Sequence, residues 1–194
     1  MDKVVITGGP CSGKSTVLDL LSREWNDRVT IVPEAATLLL SGGWPLPGKD
    51  VEWSESWRDE FQKTIVQVQI SLEEIYRTSA LQKGHKLLVL DRGILDGAAY
   101  YDESEDFFAA TGLAERSCLE RYEAVIHLES LASSNPGLYS KGNNAFRFES
   151  LEEAIPLEHR TRRAWQDHPN HQLLLGDDLA CKINQVQELL SGLT

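Results

Sequence analysis

The sequence predicts an α/β fold of the doubly wound type, in which helices cover both faces of one parallel sheet. Five apolar runs of strand length alternate with helical segments along the 194 residues. Residues 87–90 are apolar at every position, as in a central strand that is buried on both faces. Alternating strands and helices favour parallel pairing. The length fits one sizeable core, so we expect a single domain over residues 1–194.

The elements follow from apolar spacing. The predicted strands are residues 4–7, 30–32, 87–90, 125–128 and 172–175. The first helix carries an apolar face, as do a long middle helix and a closing helix. These faces comprise Val17, Leu18, Leu21 and Trp25; then Trp57, Phe61, Ile65, Val68, Leu72, Ile75 and Ser79; and finally Ile183, Val186, Leu190 and Leu193. Ser150 and Glu153 have capping-box spacing, and Pro156 should limit or kink the helix that they begin unless it lies in the first turn.

Composition excludes several classes of protein. The formal net charge of −11 disfavours general binding to DNA or RNA, and no apolar stretch reaches the ~20 residues that span a bilayer. Three cysteines without a C-x-x-C pair indicate free thiols in a reducing compartment, so we expect a cytoplasmic protein. The five histidines form no recognisable set of metal ligands.

A glycine-rich segment after the first strand carries the strongest functional signal. It matches G-x-x-x-x-G-K-[ST], and its residues are Gly8, Gly9, Pro10, Cys11, Ser12, Gly13, Lys14, Ser15 and Thr16. Glycines let main-chain N–H groups turn inward around phosphate oxygens, and the following helix adds its positive N-terminal end. Lys14 would contact the β- and γ-phosphates, and the Ser15 hydroxyl would bind Mg²⁺. We therefore expect binding of ATP, or alternatively GTP, with Mg²⁺.

An apolar strand that ends in an acid gives the second signal. Asp91 follows residues 87–90, and its carboxylate would hold Mg²⁺ opposite Ser15. The alternative is an ordinary surface acid at a strand end. The neighbouring Arg92 favours the functional interpretation.

These motifs resemble those of a known group. The phosphate loop, Pro33-Glu34 and Asp91-Arg92-Gly93 resemble the P-loop nucleoside and nucleotide kinases, and Phe61-Gln62 is similar to the base-recognition helix of deoxynucleoside kinases. Overall the chain is similar to the small AAA-labelled ATPase/kinase family that includes nicotinamide riboside kinase domains and eukaryotic GTP-binding trafficking proteins. The resemblance implies a three-layer P-loop NTPase with strand order 2-3-1-4-5, which would bring Asp91 between Lys14 and Glu34. Those kinases usually have Glu-Arg-Ser where this chain has Asp-Arg-Gly.

The resemblance also implies catalytic roles. The acid that matches Glu34 takes the proton of the attacking hydroxyl in deoxynucleoside kinases, and a carboxylate facing the γ-phosphate suits that task. Alternatively, Glu34 caps the next helix or balances Arg92. Arg92 would bind a phosphate or fix Glu34 in place.

Arginines near a loose loop are candidates for a closing lid around residues 132–165. Arg147, Arg160, Arg162 and Arg163 flank or follow the loop, and such arginines neutralise charge on a transferred phosphoryl group. Arg147 and Arg163 are the preferred pair. The alternative is a solvated helix face paired with nearby glutamates.

Aromatic residues and glutamines indicate a substrate pocket. Trp44, Trp53, Trp57 and Phe61 could stack on a planar group, although core packing is the more common role, especially for Trp57. Gln62 and Gln69 could hydrogen-bond a base edge, or could be exposed helix residues. Residues 177–182, after the last strand, are expected to contact adenine.

Three functions fit these signals. The first is a small-molecule kinase that acts on a nucleoside-like hydroxyl, the second a nucleotide-dependent switch, and the third a phosphohydrolase. The chain lacks the N-K-x-D sequence by which many GTPase switches read guanine, which favours the kinase. The expected partner is a small-molecule phosphate acceptor, with neither nucleic acid nor membrane, and a homodimer is left open.

Overall fold

The computed structural model describes residues 1–102, 105–139 and 150–193, and these contain a five-stranded parallel sheet of order β2-β3-β1-β4-β5. The strands are β1 (Asp2–Thr7), β2 (Val29–Val32), β3 (Leu87–Asp91), β4 (Ala124–Leu128) and β5 (His171–Leu174). Both the predicted strand order and the predicted fold class are confirmed. β3 pairs with β1 and β2, so its carboxyl end lies between theirs.

Helices and short turns of 3₁₀ helix connect the strands. The α-helices are α1 (Lys14–Glu24), α2 (Ala35–Ser41), α3 (Glu55–Lys83), α4 (Phe107–Thr111), α5 (Glu115–Leu119), α6 (Leu131–Ser134), α7 (Leu151–Ala164) and α8 (Leu179–Ser191). The 3₁₀ segments are Ile94–Tyr100 and Pro136–Leu138. Within the described ranges, no helix is long and apolar enough to cross a bilayer.

Two apolar clusters pack against opposite faces of the sheet. On one face, Leu87 and Val89 of β3 pack with α1 and α8. On the other face, Leu88 and Leu90 pack with a cluster that includes Trp165, directly after α7. Because side chains alternate along a strand, an all-apolar β3 supplies both clusters and forms the middle of a three-layer fold.

The long helix α3 faces the sheet differently from the predicted orientation. Its buried positions are Phe61, Gln62, Val66, Gln69, Glu73 and Ala80. Ile75, which the apolar spacing placed on the inward face, is 62% exposed, so that prediction is wrong. Gln69 and Glu73 can be buried because Glu73 is bound by Lys3 at 2.8 Å and by Arg121 at 2.6 Å, while Gln69 donates to Glu73.

Helix α7 begins as predicted and continues through its proline. Ser150 accepts a hydrogen bond from the Glu153 amide, and the Glu153 carboxylate accepts one from the Ser150 amide, which confirms the capping box. Pro156 lies beyond the first turn, yet α7 extends to Ala164. Pro156 cannot donate to the carbonyl of Glu152, but Glu152 is exposed and water can serve that carbonyl.

Gly93 occupies the position at which the kinases that the sequence resembles usually have serine. The packing around Gly93 explains why this chain has glycine there. A Cβ atom on Gly93 would lie 2.8 Å from two ring carbons of Trp165 and 2.9 Å from a methyl of Val5. Trp165 is fully buried, so its ring has little room to move.

We therefore expect Gly93→Ser to lower the free energy of unfolding by about 1–3 kcal/mol, as overpacked cores do. Urea unfolding followed by tryptophan fluorescence would measure this. The matched control is Gly137→Ser, because a Cβ atom at Gly137 meets only a side-chain oxygen at 3.6 Å. Equal unfolding midpoints for the two variants would contradict the packing argument.

Candidate nucleotide site

The phosphate loop joins β1 to α1 and bends through conformations that favour glycine. Gly8 and Gly13 have φ angles of 134° and 92°, and Cys11 has a φ of 59°. A Cβ atom on Gly8 would lie 2.1 Å from the Leu128 carbonyl oxygen, so the first glycine is required by the neighbouring strand. Helix α1 begins at Lys14, which directs its N-terminal amides toward the loop.

Contacts from the start of α6 and from α8 hold the loop in this shape. The Ser130 hydroxyl donates to the Pro10 carbonyl, and the Leu131 amide donates to the Cys11 carbonyl at 3.3 Å. A Cβ atom on Gly13 would lie 2.6 Å from a methyl of Leu179, the first residue of α8. The loop is therefore fixed on both sides by tertiary contacts.

Lys14 folds back over the loop. Its ammonium donates to the carbonyls of Gly8 at 2.6 Å and Gly9 at 3.1 Å, and to the Ser12 hydroxyl at 3.1 Å. Burial and the nearby charge of Arg92 lower the pKa of Lys14 to about 8, against the opposing pull of three nearby carboxylates. An anion at the loop would favour the charged ammonium.

A cleft of about 390 Å³ lies beside the loop and collects the predicted acids. Ser15, Glu34 and Asp91 share it, together with Leu18, Asp19, Ser22, Ile31, Pro33, Thr37 and Leu38. Burial and the charge of Glu34 raise the pKa of Asp91 to about 6, although Lys14 and Arg92 act in the opposite direction. The strand order brings Ser15, Glu34 and Asp91 together, because β3 ends between β1 and β2.

The residues of the cleft fit a hard divalent cation. Mg²⁺ prefers oxygen ligands, and the Ser15 hydroxyl and Asp91 carboxylate supply them next to the phosphate loop. A cation there would also offset the repulsion between Asp91 and Glu34, which contributes to the raised pKa of Asp91.

Arg92 connects the two acidic positions. Its Nε atom donates to Glu34 Oε1 at 2.7 Å, and its Nη1 atom donates to Asp96 Oδ1 at 3.0 Å. Its φ angle of 69° is uncommon outside glycine, and its amide donates to the Ile6 carbonyl at 3.1 Å. Burial would lower the pKa of Arg92, but Glu34 and the other nearby acids hold it well above its usual value.

Glu34 remains ionised in this environment. Burial would raise the pKa of Glu34, but Arg92, the Thr37 hydroxyl and Lys14 hold it below the ordinary value. Glu34 also occupies the N-cap position of α2, but its side chain accepts from the Thr37 hydroxyl and no helix amide. The predicted fixing of Glu34 by Arg92 is thus present as an ion pair.

Asp96 is a site residue that the sequence did not reveal. It is 4% exposed and accepts hydrogen bonds from the Thr7 hydroxyl at 2.5 Å, the Gly93 amide at 2.9 Å and the Trp165 indole at 3.1 Å, as well as from Arg92. These bonds fix the carboxylate that orients Arg92. In the sequence, the spacing of four residues between Arg92 and Asp96 was the available signal that the two side chains pair.

An aromatic group and a buried glutamine lie along the first turns of α3. The Phe61 ring centroid is 5.0 Å from that of Trp57 and 5.5 Å from that of Trp44. Gln62 is 4% exposed, so the alternative of an exposed glutamine is wrong, and the same holds for Gln69. Gln62 Oε1 and Trp44 Nε1 have no hydrogen-bond partner among the described residues. A Cβ atom on Gly97 would lie 2.6 Å from Gln62 Oε1, which places this amide beside the 3₁₀ segment that follows Arg92.

Of the two preferred lid arginines, the structure describes only Arg163. Arg147 lies outside the described residues. Arg163 lines a groove of about 450 Å³ between α7 and β5 with His159, Arg162, Gln166, His171 and Leu173. On an α-helix it points roughly 140° away from Glu158, which contacts the phosphate loop. Its action on a phosphoryl group stays a prediction.

The segment expected to contact adenine follows β5. Asn135 donates to the Asp177 carboxylate at 2.8 Å, and buried Lys182 donates to the Glu129 carbonyl at 2.6 Å. These bonds join the segment to the part of the chain that follows β4, on the same side of the sheet as the phosphate loop. Adenine contact remains a prediction.

A parallel sheet of order 2-3-1-4-5, a Gly-Lys-Ser loop before α1 and an acid at the end of the adjacent strand together define a P-loop NTPase. Residues 3–179 match a family model described as an AAA domain, and the chain belongs to that family. No curated protein matches the sequence. Membership supports a nucleotide-binding P-loop protein, of a class that generally binds its nucleotide with Mg²⁺.

Proposed function

We propose that the protein transfers the γ-phosphoryl group of ATP to a hydroxyl of a small, nucleoside-like molecule. One observation carries the proposal. An ionised carboxylate, Glu34, is held by Arg92 in the same cleft as Ser15 and Asp91, next to the phosphate loop. A carboxylate held there can orient an acceptor hydroxyl toward a γ-phosphate.

Different residues would perform different parts of phosphoryl transfer. The α1 amides and Lys14 would bind the phosphates, and Lys14 would exchange its loop carbonyls for phosphate oxygens. Ser15 and Asp91 would hold Mg²⁺, which when bound supplies charge neutralisation between the β- and γ-phosphates. These contacts place positive charge where negative charge develops during transfer.

Glu34 would receive the acceptor's proton. The acceptor oxygen bonds to the γ-phosphorus while the bond from that phosphorus to the β–γ bridging oxygen breaks, and the hydroxyl proton moves to Glu34. Proton transfer comes late in a loose transition state, so an ionised carboxylate is basic enough. Each Glu34 oxygen already accepts one bond, from Arg92 or from Thr37, and each has a further lone pair for the hydroxyl.

Aromatic rings around the start of α3 support a planar acceptor. A base could stack on the half-buried ring of Trp44, which packs against the buried Phe61, and Gln62 has a buried amide oxygen with no hydrogen-bond partner among the described residues. The resemblance of Phe61-Gln62 to the base-recognition helix of deoxynucleoside kinases points the same way. This pairing of rings and amide favours a nucleoside over a simple alcohol.

A two-stage experiment tests the proposal. First, thermal unfolding with Mg²⁺ and either ATP or GTP would identify the donor, because a ligand at 100 times its Kd stabilises the fold by about 2.7 kcal/mol. Second, the protein, the donor and a nucleoside panel would be incubated, and phosphorylated products measured by mass spectrometry. Phosphate release without acceptor is measured in parallel. If phosphate is released from the donor and no acceptor in the panel is phosphorylated, the protein is a hydrolase and the kinase proposal is overturned.

A further inference from the structure

The phosphate loop contacts a buried carboxylate that belongs to no motif. Glu158, on α7, is 3% exposed, and its Oε2 atom accepts a hydrogen bond from the Gly9 amide at 2.6 Å. Its Oε1 atom lies 2.8 Å from His127 Nε2. One main-chain N–H group of an anion-binding loop is therefore already bound by an anion that the protein supplies.

Gly9 and Glu158 are packed closely against each other. A Cβ atom on Gly9 would lie 2.5 Å from Glu158 Oε2, 3.1 Å from its Cβ atom and 3.3 Å from its Cα atom. The backbone of α7 thus packs directly against the second glycine of the loop, which only glycine permits. His127 is fully buried near the end of β4 and pairs in register with Thr7, the last residue of β1.

Glu158 is ionised in this position. Burial would raise the pKa of Glu158, but the hydrogen bond and charge of His127, the Gly9 amide and the charge of Lys14 together hold it below its usual value. A buried anion with two hydrogen-bonded partners is costly to displace, because removing it leaves both donors unsatisfied.

Two bonds hold Gly9, and binding of a nucleotide would require only one of them to break. The Lys14 ammonium bonds to the Gly9 carbonyl, while Glu158 bonds to the Gly9 amide. Lys14 must leave that carbonyl to reach a nucleotide's phosphates. The Glu158 bond involves neither the lysine nor the α1 amides, so it can persist.

We propose that Glu158 is a positioning residue of the nucleotide site, which keeps the phosphate loop in its binding shape and makes α7 and the loop move as one unit. The inference rests on the proposed binding of a nucleoside triphosphate at the loop. Occupancy of the loop is then transmitted to α7 through the contact between Gly9 and Glu158, which are 149 positions apart in the sequence.

Titration calorimetry with Mg²⁺ and the β,γ-imido analogue of ATP tests the positioning role. We expect Glu158→Ala to weaken binding at least tenfold, and Glu158→Gln to stay within threefold, since the amide oxygen can still accept from Gly9. The control is Glu73→Gln, a fully buried carboxylate bound by Lys3, Arg121 and Tyr122 at the far end of β1. That variant should lower the unfolding midpoint and leave the Kd unchanged.

Hydrogen exchange gives the second measurement. In the wild type, the analogue should slow amide exchange in both the loop and α7; in Glu158→Ala it should slow exchange in the loop only. Tighter binding by both Glu158 variants, or equal Kd values with α7 protection retained in Glu158→Ala, would overturn this inference alone. Absence of any binding by the wild type would overturn it together with the proposed function.

Discussion

Lys14→Ala is expected to reduce phosphoryl transfer by about 10²–10³-fold or more, the usual cost of removing one preorganised charge from a transition state. The effect should be large because two neighbouring cations in the part of the chain that the structure describes are already engaged elsewhere. Arg92 is committed to Glu34 and Asp96, and Lys182 is buried against the Glu129 carbonyl. Initial rates at saturating donor and acceptor would measure the loss.

Two variants separate loss of charge from loss of structure. Lys14→Met keeps most of the aliphatic stem and should be as inactive as Lys14→Ala, with an unfolding midpoint closer to that of the wild type. Lys63→Ala removes a half-exposed lysine that pairs with Glu60 and should leave turnover unchanged. Turnover by Lys14→Met above a tenth of the wild-type rate would remove the lysine from the mechanism.

The parts of the fold that sequence predicted are those determined by local pattern. Residues 87–90 read as a central strand because each faces an apolar layer, and the structure buries all four completely. The phosphate loop was equally readable, since its glycines meet backbone requirements within a few residues. The strand order came from the resemblance to P-loop kinases, because spacing alone does not rank parallel strands.

The orientation of α3 was not readable, because distant partners decide it. Glu73 is buried only because Lys3, Arg121 and Tyr122 meet it there, and these residues come from other elements. An apolar stripe is a reliable guide when buried positions are apolar. It fails when an ion-pair network permits a polar face to turn inward.

Site residues that adjoin a sequence motif were predicted. Site residues whose role depends on tertiary contacts were missed. Asp96 is bound by Thr7, 89 positions away, and Glu158 by Gly9, 149 positions away. Neither of these long-range contacts can be predicted from local spacing, although the four-residue spacing between Arg92 and Asp96 was a signal for their pairing. Glu34 and Arg92 were found through the resemblance to P-loop kinases, and they follow β2 by two residues and β3 by one.

Glu34→Gln is expected to lower transfer by about 10²–10⁴-fold, the range that general base catalysis contributes, while nucleotide affinity stays within severalfold. Glutamine keeps the shape of the side chain and can still accept from Arg92, but it cannot take the acceptor's proton. Arg92 also keeps its bond to Asp96, so the arrangement around the cleft should persist. The measurements are kcat, the acceptor KM and the donor Kd.

A carboxylate in the same cleft provides the control. Asp19 lines the cleft from α1 and pairs with Arg23 on an exposed face, so Asp19→Asn removes one negative charge without disturbing Arg92. If Glu34 acted only through the electrostatic field of the cleft, the two substitutions would change kcat by similar factors. A base role requires the loss to be confined to Glu34→Gln and to appear in kcat, because the proton moves only during the chemical step.

The Glu34→Asp variant separates the role of Glu34 as a proton acceptor from its alignment by Arg92. Aspartate retains the carboxylate but is shorter by one methylene, so it cannot keep both the 2.7 Å bond to Arg92 and the same reach toward the acceptor. We expect a rate between those of the wild type and Glu34→Gln, because ionisation is preserved and alignment is lost. Undiminished transfer by Glu34→Gln would assign the proton to another acceptor, and Glu34 would then serve only to hold Arg92 across the mouth of the cleft.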